Sequence, residues 1–321
     1  MTERSTNPVD SVVASGRGMT HAPAVGLTRR LASKLWLTVL FLLARRMPWM
    51  LRRGRAFFTW GTWTFSRTIR EGTLTNARRI LGEGSTPRQR YAIARATVGS
   101  FYDFVCDVGW TLGASREELN SRIAAVEGRE AYDQARSLHR GAIIATAHMG
   151  SFEVGMAALL HSELRIHVVF QRDREDRFEQ LRTDVRSKLG IVEAPVGEGL
   201  GKWLELRDAL LRDEVVAIQA DRVMPGQKGQ KVLFLGGHMM VPAGPVKLAM
   251  ITGAPIIPIF SIRQPDGRIV VKIEQPIYVE SGRPELFEPT LLQLAEVMAK
   301  QVRLHPGQWL VLHKAWCEDL D

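Results

Sequence analysis

Near the middle of the chain stands the sequence AIIATAHMGSFE, residues 142–153. Its first part, residues 142–147, is a short apolar run, which predicts a buried strand. Gly150 and Ser151 predict a turn and a helix N-cap, and the helix is expected over residues 152–160. A strand that leads through a tight turn into a helix is typical of an α/β fold.

A histidine at the end of this predicted strand is the first candidate for chemistry. Open α/β sheets bind their ligands at the carboxyl ends of their strands, which is where His148 lies. Glu153 follows five residues later, in the first turn of the predicted helix. Across a turn that contains glycine, its carboxylate can reach one ring nitrogen of His148, fix the tautomer and leave the other nitrogen as a base. A structural histidine at a strand end is the alternative.

The task that suits this pair is removal of a proton from an attacking hydroxyl. Imidazole titrates near pH ~6.5 and is therefore a usable base near neutrality. The chain has no G-x-S-x-G nucleophile elbow, and Cys106 and Cys317 lie far from the turn in sequence. We therefore expect direct attack by a bound hydroxyl, without a covalent intermediate on the protein.

Metal and disulfide sites are not expected. Two cysteines provide neither a disulfide framework nor metal-ligand spacing. The H-x4-E spacing also lacks the helical arrangement of the H-E-x-x-H zinc motif, and no third ligand is evident.

Strands and helices alternate after the histidine. Strands are predicted over 166–170, 191–194 and 215–219, with helices over 174–189 and 199–212 between them. This alternation predicts parallel βαβ units and one mostly parallel central sheet flanked by helices. Further elements are expected as strands over 231–234, 256–261 and 269–273 and helices over 245–252 and 290–304.

The region that precedes the histidine strand is expected to be helical. A stripe of apolar residues at helical spacing predicts a helix over 87–112, packed on the core. Residues 72–90 are interpreted as a polar connection that leads into it. Residues 117–140 are interpreted as a mostly polar helical segment.

Basic residues are concentrated in the N-terminal third. Residues 1–90 contain 16 Lys and Arg against 4 Asp and Glu, whereas the whole chain has a net charge of +9. The remainder therefore carries a slight negative charge. Such a basic segment suits either an anionic lipid surface or nucleic acid.

An apolar run within this basic third favours the membrane. Residues 35–44 are apolar and flanked by arginines, and tryptophan and phenylalanine recur as far as Phe65. This pattern is typical of a helix at a membrane interface. The run is about ten residues long, against the ~20 that span a bilayer. We predict a monotopic anchor; a buried helix, a true span and a signal peptide are the alternatives.

Motifs after His148 share their order with those of one known family. They are Gln219-Ala220-Asp221-Arg222, Phe234-Leu235-Gly236-Gly237, Pro242-Ala243-Gly244-Pro245, Thr252-Gly253-Ala254-Pro255 and a closing motif from His305 to Trp316. With the H-x4-E of His148 and Glu153, this order resembles the bacterial lipid A acyltransferases and their relatives that acylate mannosylated phosphoinositides. This family lies within the wider H-x4-D/E lysophospholipid acyltransferase superfamily, and the resemblance covers residues 75–316.

The resemblance implies an enzyme that moves a fatty acyl chain from a thioester to a hydroxyl of a membrane glycolipid or lipid. The thioester would be acyl carrier protein or acyl-CoA as co-substrate, with no resident cofactor. His148 would deprotonate the hydroxyl and Glu153 would orient His148. The N–H groups near Gly150 and Ser151 are expected to bind the tetrahedral oxyanion.

Further substrate contacts are expected from four residues. Arg172 and Arg222 are candidates for binding a phosphate or the phosphopantetheine of the donor. Asp221 and Gly236 lie in motifs of the same family. Asp221 and Arg222 could instead pair with each other or with nearby loops, and His313 is interpreted as structural or peripheral.

The implied organisation has three regions. A disordered tail over 1–30 precedes a membrane-associating region over 31–70 and an α/β acyltransferase domain over 71–321. The expected location of the protein is the bacterial inner membrane, with the catalytic domain facing the cytoplasm. The expected partners are anionic lipid, the thioester donor and the lipid acceptor, and nucleic acid is not among them.

Several positions depart from the family's pattern. Gly307 stands where the family usually has Glu, Ala315 where it usually has Arg, and the pair Asp221-Arg222 replaces a commoner Asp-Gln. These changes leave His148 and Glu153 in place and bear on the acceptor. A glycerolipid acyltransferase is one alternative, although that class usually has Asn before the histidine and Asp as the carboxylate. A lipid-binding protein that is not an enzyme is the other.

Overall fold

A seven-stranded sheet forms the centre of the fold in the computed structural model. Its strands are β1 (Ile123–Glu127), β2 (Ala142–Thr146), β3 (Ile166–Phe170), β4 (Ile191–Pro195), β5 (Val215–Gln219), β8 (Ile256–Arg263) and β9 (Ile269–Ile273). They lie in the order β1-β9-β8-β2-β5-β3-β4, and all neighbours are parallel except β8 and β9. A separate antiparallel hairpin consists of β6 (Gly229–Phe234) and β7 (Gly237–Pro242).

Helices cover the sheet. They are α1 (Pro48–Phe65), α2 (Arg67–Leu81), α3 (Pro87–Thr111), α4 (Arg116–Ser121), α5 (Arg129–Arg136), α6 (Phe152–Leu159), α7 (Leu200–Leu211), α8 (Gly244–Thr252) and α9 (Phe287–Leu304). The structure describes residues 46–111, 114–159, 163, 165–170, 183, 190–195, 199–223, 227 and 229–320. The predicted tail, the apolar run and the helix predicted over 174–189 lie outside these residues, apart from Thr183.

The two faces of the sheet bury separate apolar clusters. The larger cluster packs α7, α8 and α9 against one face, and the smaller packs α5 and α6 against the other. Residues of β2 alternate between them, with Ile143 and Ala145 in the larger cluster and Ile144 in the smaller. Because β2 is buried on both faces, its sequence is continuously apolar. The predicted α/β fold with a mostly parallel central sheet is confirmed.

Two sequence-based predictions around the first helices are wrong. Residues 72–90 were expected to be a connection, yet α2 continues to Leu81. Its buried face mixes Gly72, Thr73 and Asn76 with Ala77 and Ile80, so the apolar pattern is interrupted. The segment over 117–140 contains β1, an edge strand that is only half-buried, and the prediction assigned its four apolar residues, 123–126, to a helical segment.

The first two described helices pack on α3. The Tyr102 hydroxyl donates a hydrogen bond to the Leu51 carbonyl at 2.9 Å, and the Arg55 guanidinium pairs with Asp103 at 2.9 Å. Phe58 packs against the Tyr102 ring at 4.9 Å between centroids. The predicted boundary at residue 70 thus falls inside α2. Among the described residues, the helices are too short or too polar to cross a bilayer.

Candidate active site

Two polar side chains meet where two neighbouring strands end. Strands β2 and β5 run parallel, and Thr146 pairs with Gln219 at their carboxyl ends. Two residues beyond each partner lie His148 and Asp221. Nδ1 of His148 lies 2.8 Å from Oδ1 of Asp221. The register of the sheet therefore brings together two residues that are 73 positions apart.

The Asp221 carboxylate is fully buried and has both oxygens engaged. The indole Nε1–H of Trp309 donates to Oδ2 at 2.9 Å, while His148 occupies Oδ1. Burial opposes ionisation of Asp221, but the charge and hydrogen bond of His148, with the charge of Arg222, hold the pKa of this carboxyl below its ordinary value. Asp221 is therefore ionised at neutral pH.

An ionised carboxylate decides which nitrogen of His148 carries the proton. A carboxylate can only accept hydrogen bonds, so Nδ1 of His148 must donate to Asp221. The proton then resides on Nδ1, and the lone pair of Nε2 is available as a base. His148 is 9% exposed, which leaves its ring largely shielded from water. The pair can take a proton from a hydroxyl bound against Nε2.

This arrangement corrects the role predicted for Glu153. Glu153 was expected to orient His148, but the carboxylate on Nδ1 belongs to Asp221. Glu153 lies in the first turn of α6 and is half-buried. The sequence analysis predicted Asp221 as a substrate contact and missed it as the partner of His148. The spacing of residues along the chain does not reveal which strands are neighbours in the sheet.

The turn after His148 depends on Gly150. Its φ is +53°, and an added Cβ would lie 1.9 Å from the carbonyl oxygen of Ser261. Its N–H donates to the carbonyl of Gln308 at 3.0 Å. The closing segment therefore occupies the Gly150 N–H that was predicted to bind the oxyanion, and the same role for the N–H of Ser151 stays a prediction.

That closing segment fixes the turn from the other side. The Leu310 N–H donates to the His148 carbonyl at 2.7 Å. The Gln308 amide exchanges two hydrogen bonds with the backbone of Arg263, at 2.8 and 2.9 Å. Residues 308–310 thus position the backbone on either side of His148 and place Trp309 on Asp221.

Aromatic packing holds Trp309 in place. Its ring lies 5.7 Å from that of Trp316 and 6.0 Å from that of Phe234, centroid to centroid. The indole N–H of Trp316 donates to the Phe234 carbonyl at 2.7 Å. Both tryptophans are almost fully buried. The closing motif therefore supports the active site, a role that its sequence did not reveal.

Ser151 does not cap the helix as predicted. Its side chain is fully buried, and its hydroxyl has no hydrogen-bond partner in the described part of the chain. The ring of Phe152, the next residue, lies 6.0 Å from that of His148 and stacks on Phe104 at 4.7 Å. The start of α6 is thus held by aromatic contacts.

Arg222 and His313 lie close to the pair. Partial burial lowers the pKa of His313, and the charges of Arg222 and His148 lower it further. The buried amide of Asn76 positions this segment, since its nitrogen donates to the carbonyls of Val311 and His313 at 3.0 and 2.8 Å. His313 was interpreted as structural or peripheral, yet two of the charges that lower its pKa belong to His148 and Arg222 of the site.

The other predicted substrate contacts differ in position. Gly236 has a φ of +78° and follows Leu235, also at positive φ, in the two-residue turn between β6 and β7. A turn of this kind explains the glycine by itself. Arg172 lies outside the described residues. Within the residues that the structure describes, no group of three or more His, Cys, Asp or Glu could hold a metal ion.

Known proteins resemble this chain along most of its length. The family model described as bacterial lipid A biosynthesis acyltransferase matches residues 21–318. A phosphatidylinositol mannoside acyltransferase from Mycobacterium tuberculosis is 26% identical over 196 residues, which cover 61% of this chain and 60% of that protein. One of the same name from Mycolicibacterium smegmatis is 26% identical over 182 residues, or 56% and 58%. The match thus spans about three fifths of these curated relatives. The chain belongs to the bacterial lipid A biosynthesis acyltransferase family.

Proposed function

We propose that this chain transfers a fatty acyl group from a thioester to a hydroxyl of a membrane glycolipid. The observation that carries the proposal is the hydrogen-bonded series from His148 to Asp221 to Trp309. In this series Nδ1 of His148 faces the carboxylate and Nε2 is directed away from it, free to accept a proton. Family membership supports acyl transfer, and the name of the mycobacterial relatives supports a mannosylated phosphoinositide as the first acceptor to test.

The acyl group passes directly from the thioester to the acceptor hydroxyl, without a covalent intermediate on the protein. Nε2 of His148 takes the proton of the acceptor hydroxyl while that oxygen forms a bond to the thioester carbonyl carbon. The carbonyl electron pair moves onto oxygen and gives a tetrahedral oxyanion. Collapse restores the carbonyl and breaks the C–S bond, and the thiolate leaves with the proton from His148. Asp221 stabilises the imidazolium that exists between the two steps.

The donor is an acyl carrier protein or acyl-CoA thioester, and the protein acts at a membrane surface. Support for the surface comes from α1, where Phe57, Trp60 and Phe65 are 74%, 53% and 81% exposed. Exposed arginines, among them Arg46 and Arg67, accompany these aromatic side chains. Exposed aromatics with basic residues suit an interface rich in anionic lipid. We place this surface at the cytoplasmic face of a bacterial inner membrane.

The test is acyl transfer by the full chain in detergent. Palmitoyl-CoA and palmitoyl acyl carrier protein are each offered with a phosphatidylinositol mannoside, a lipid A precursor or lysophosphatidate, and mass spectrometry identifies the product. We expect a glycolipid product that His148→Ala abolishes and His139→Asn, which changes an exposed histidine, retains. Product from lysophosphatidate alone would favour glycerolipid synthesis. Lipid binding without transfer from any donor would make the chain a lipid-binding protein.

A further inference from the structure

Three side chains that lie within three residues of His148 or Asp221 in sequence each have a buried polar atom without a partner. They are Ser151, with its hydroxyl, Gln219, with Nε2, and Arg222, with Nε. None of the three side chains makes a hydrogen bond or ion pair among the described residues. Leaving buried polar groups unpaired destabilises a fold, so such groups are uncommon in native proteins. All three lie on the segments that carry His148 and Asp221, which suggests a common reason for their lack of partners.

Two other unpaired buried atoms differ from these three. One is Nε of Arg122, whose guanidinium already pairs with Asp107 at 3.0 Å. The other is Oε1 of Gln301, whose amide nitrogen already bonds to Glu274. Each belongs to a side chain that is otherwise hydrogen-bonded. Among the buried unpaired side-chain atoms in the described part of the chain, only those of Ser151, Gln219 and Arg222 belong to side chains with no other hydrogen bond.

Position in the fold links the three to the reacting atoms. Gln219 is the last residue of β5, is paired with Thr146 of β2, and lies two residues before Asp221 in the sequence. Arg222 follows Asp221 and its charge acts on that carboxyl. Ser151 lies three residues after His148, at the start of α6, and is 0% exposed. All three belong to the loops and strand ends that carry the pair.

The chemistry of the three unpaired groups is alike. A hydroxyl, an amide nitrogen and a guanidinium nitrogen can each donate a hydrogen bond. Donors that converge on a site shielded from water stabilise a negatively charged oxygen. The N–H of Gly150 is already engaged by Gln308, which leaves room for side-chain donors in this role.

We propose that Ser151, Gln219 and Arg222 form an oxyanion subsite beside His148. The subsite takes either the tetrahedral oxyanion of acyl transfer or a phosphate oxygen of one substrate. This inference rests on the proposed function and specifies how that site holds charge. It also explains why the unpaired groups persist: they meet their partner when substrate is bound.

Three variants test it, Ser151→Ala, Gln219→Met and Arg222→Met, with Ser137→Ala as the matched control. Ser137 is a surface serine bonded to the Gln134 carbonyl. We expect melting temperatures equal to or above that of the native protein in Ser151→Ala and Gln219→Met, because each change removes an unpaired buried donor. Arg222→Met also removes a charge that favours ionised Asp221, so this variant is assessed by its kinetics and binding. We expect kcat to fall by about 10²–10³-fold where the donor serves the oxyanion. A rise in KM for the donor or for the acceptor alone would instead assign the phosphate to that substrate.

Two results would overturn the subsite while leaving acyl transfer intact. One is unchanged kcat and KM in all three variants of a protein whose activity His148→Ala abolishes. The other is a fall of several degrees in the melting temperature of Ser151→Ala and Gln219→Met together with the loss of activity, since that would indicate a structural role.

A binding measurement keeps the inference separate from the proposed function. Hexadecylphosphonate carries a tetrahedral anionic head on an alkyl chain, and calorimetry with the full chain needs no turnover. We expect binding to weaken at least tenfold in the three variants and to persist in Ser137→Ala. No binding to the native protein, or equal binding to all variants, would overturn the subsite even if transfer is never detected.

Discussion

At the scale of single residues, Asp221 is the centre of the site. One of its oxygens accepts from His148 and the other from Trp309, in a fully buried setting. A buried charge is tolerated when each oxygen is hydrogen-bonded, and this one fixes the imidazole tautomer. Asp221 is thus a positioning residue that acts through His148.

Replacing Asp221 by Asn tests this role. An amide does not hold the Nδ1 proton as a carboxylate does, so the imidazole would present the wrong tautomer. We expect kcat to fall by about 10³–10⁴-fold with little change in KM, as for other His–Asp pairs. Steady-state kinetics beside Glu153→Gln is the measurement. Near-native kcat in Asp221→Asn with a large loss in Glu153→Gln would return the orienting role to Glu153.

His313 gives the fold a dependence on pH. Its pKa in the folded protein lies below the ordinary value of about 6.5. Between those two values the unfolded chain binds a proton that the folded protein does not, so stability rises with pH. His313 therefore destabilises the fold as pH falls below about 6.5.

His313→Gln removes this titration. We expect the loss of melting temperature between pH 8 and pH 5 to be smaller in His313→Gln than in the native protein. Differential scanning calorimetry across this range measures it. An identical loss in both proteins would mean that burial and the neighbouring charges do not lower the pKa of His313 in the folded protein.

At the scale of elements, the connection between β2 and α6 is set by close backbone approach. Gly150 adopts a positive φ, and its Cα faces the Ser261 carbonyl so closely that no side chain fits. Gly253, at the end of α8, also has a positive φ, +72°, but has open space around it. Substitution of Gly253 therefore tests the free-energy cost of a left-handed backbone alone, whereas substitution of Gly150 adds the cost of a steric clash.

Substitution of each glycine by Ala measures the two costs. Gly253→Ala should lose about 1–2 kcal/mol of unfolding free energy, the cost of a left-handed conformation for a non-glycine residue. Gly150→Ala should lose more and should also reduce acyl transfer, because the turn must move away from Ser261 and take His148 with it. Urea denaturation and kcat provide the comparison. Equal losses in the two variants would contradict a steric constraint at Gly150.

At the scale of the whole molecule, the first helices belong to the described fold and also carry its aromatic surface. α1 packs on α3 through Leu51, Arg55 and Phe58. The same helix exposes Phe57, Trp60 and Phe65 to solvent. A membrane contact at this surface would hold the whole acyltransferase fold against the bilayer.

Replacing these three aromatics by Ser should weaken vesicle binding. Because three large side chains would no longer bury apolar surface in the membrane, we expect the affinity for vesicles that contain phosphatidylglycerol to fall by about tenfold or more. Co-sedimentation measures it, with Leu211→Ser and Tyr278→Ser as controls that alter exposed apolar residues on other elements. Equal binding by the triple variant and the controls would place the contact elsewhere.

The sequence by itself determined the alternation of strands and helices. Buried parallel strands such as β2 and β5 are short apolar runs, and that pattern is local. It also placed His148 at the end of a strand and Gly150 in a turn. Prediction failed in two places: α2 buries the polar Asn76, and the apolar residues 123–126 of the half-exposed edge strand β1 were assigned to a helical segment.

Only the tertiary structure decided which carboxylate serves His148. Glu153 is five residues away along the chain and Asp221 is 73, yet the parallel register of β2 and β5 brings Asp221 to Nδ1. Trp309 reaches Asp221 for a similar reason, from a segment hydrogen-bonded to both sides of the turn. Strand order and register result from packing across the whole sheet, so no local spacing of residues encodes these contacts.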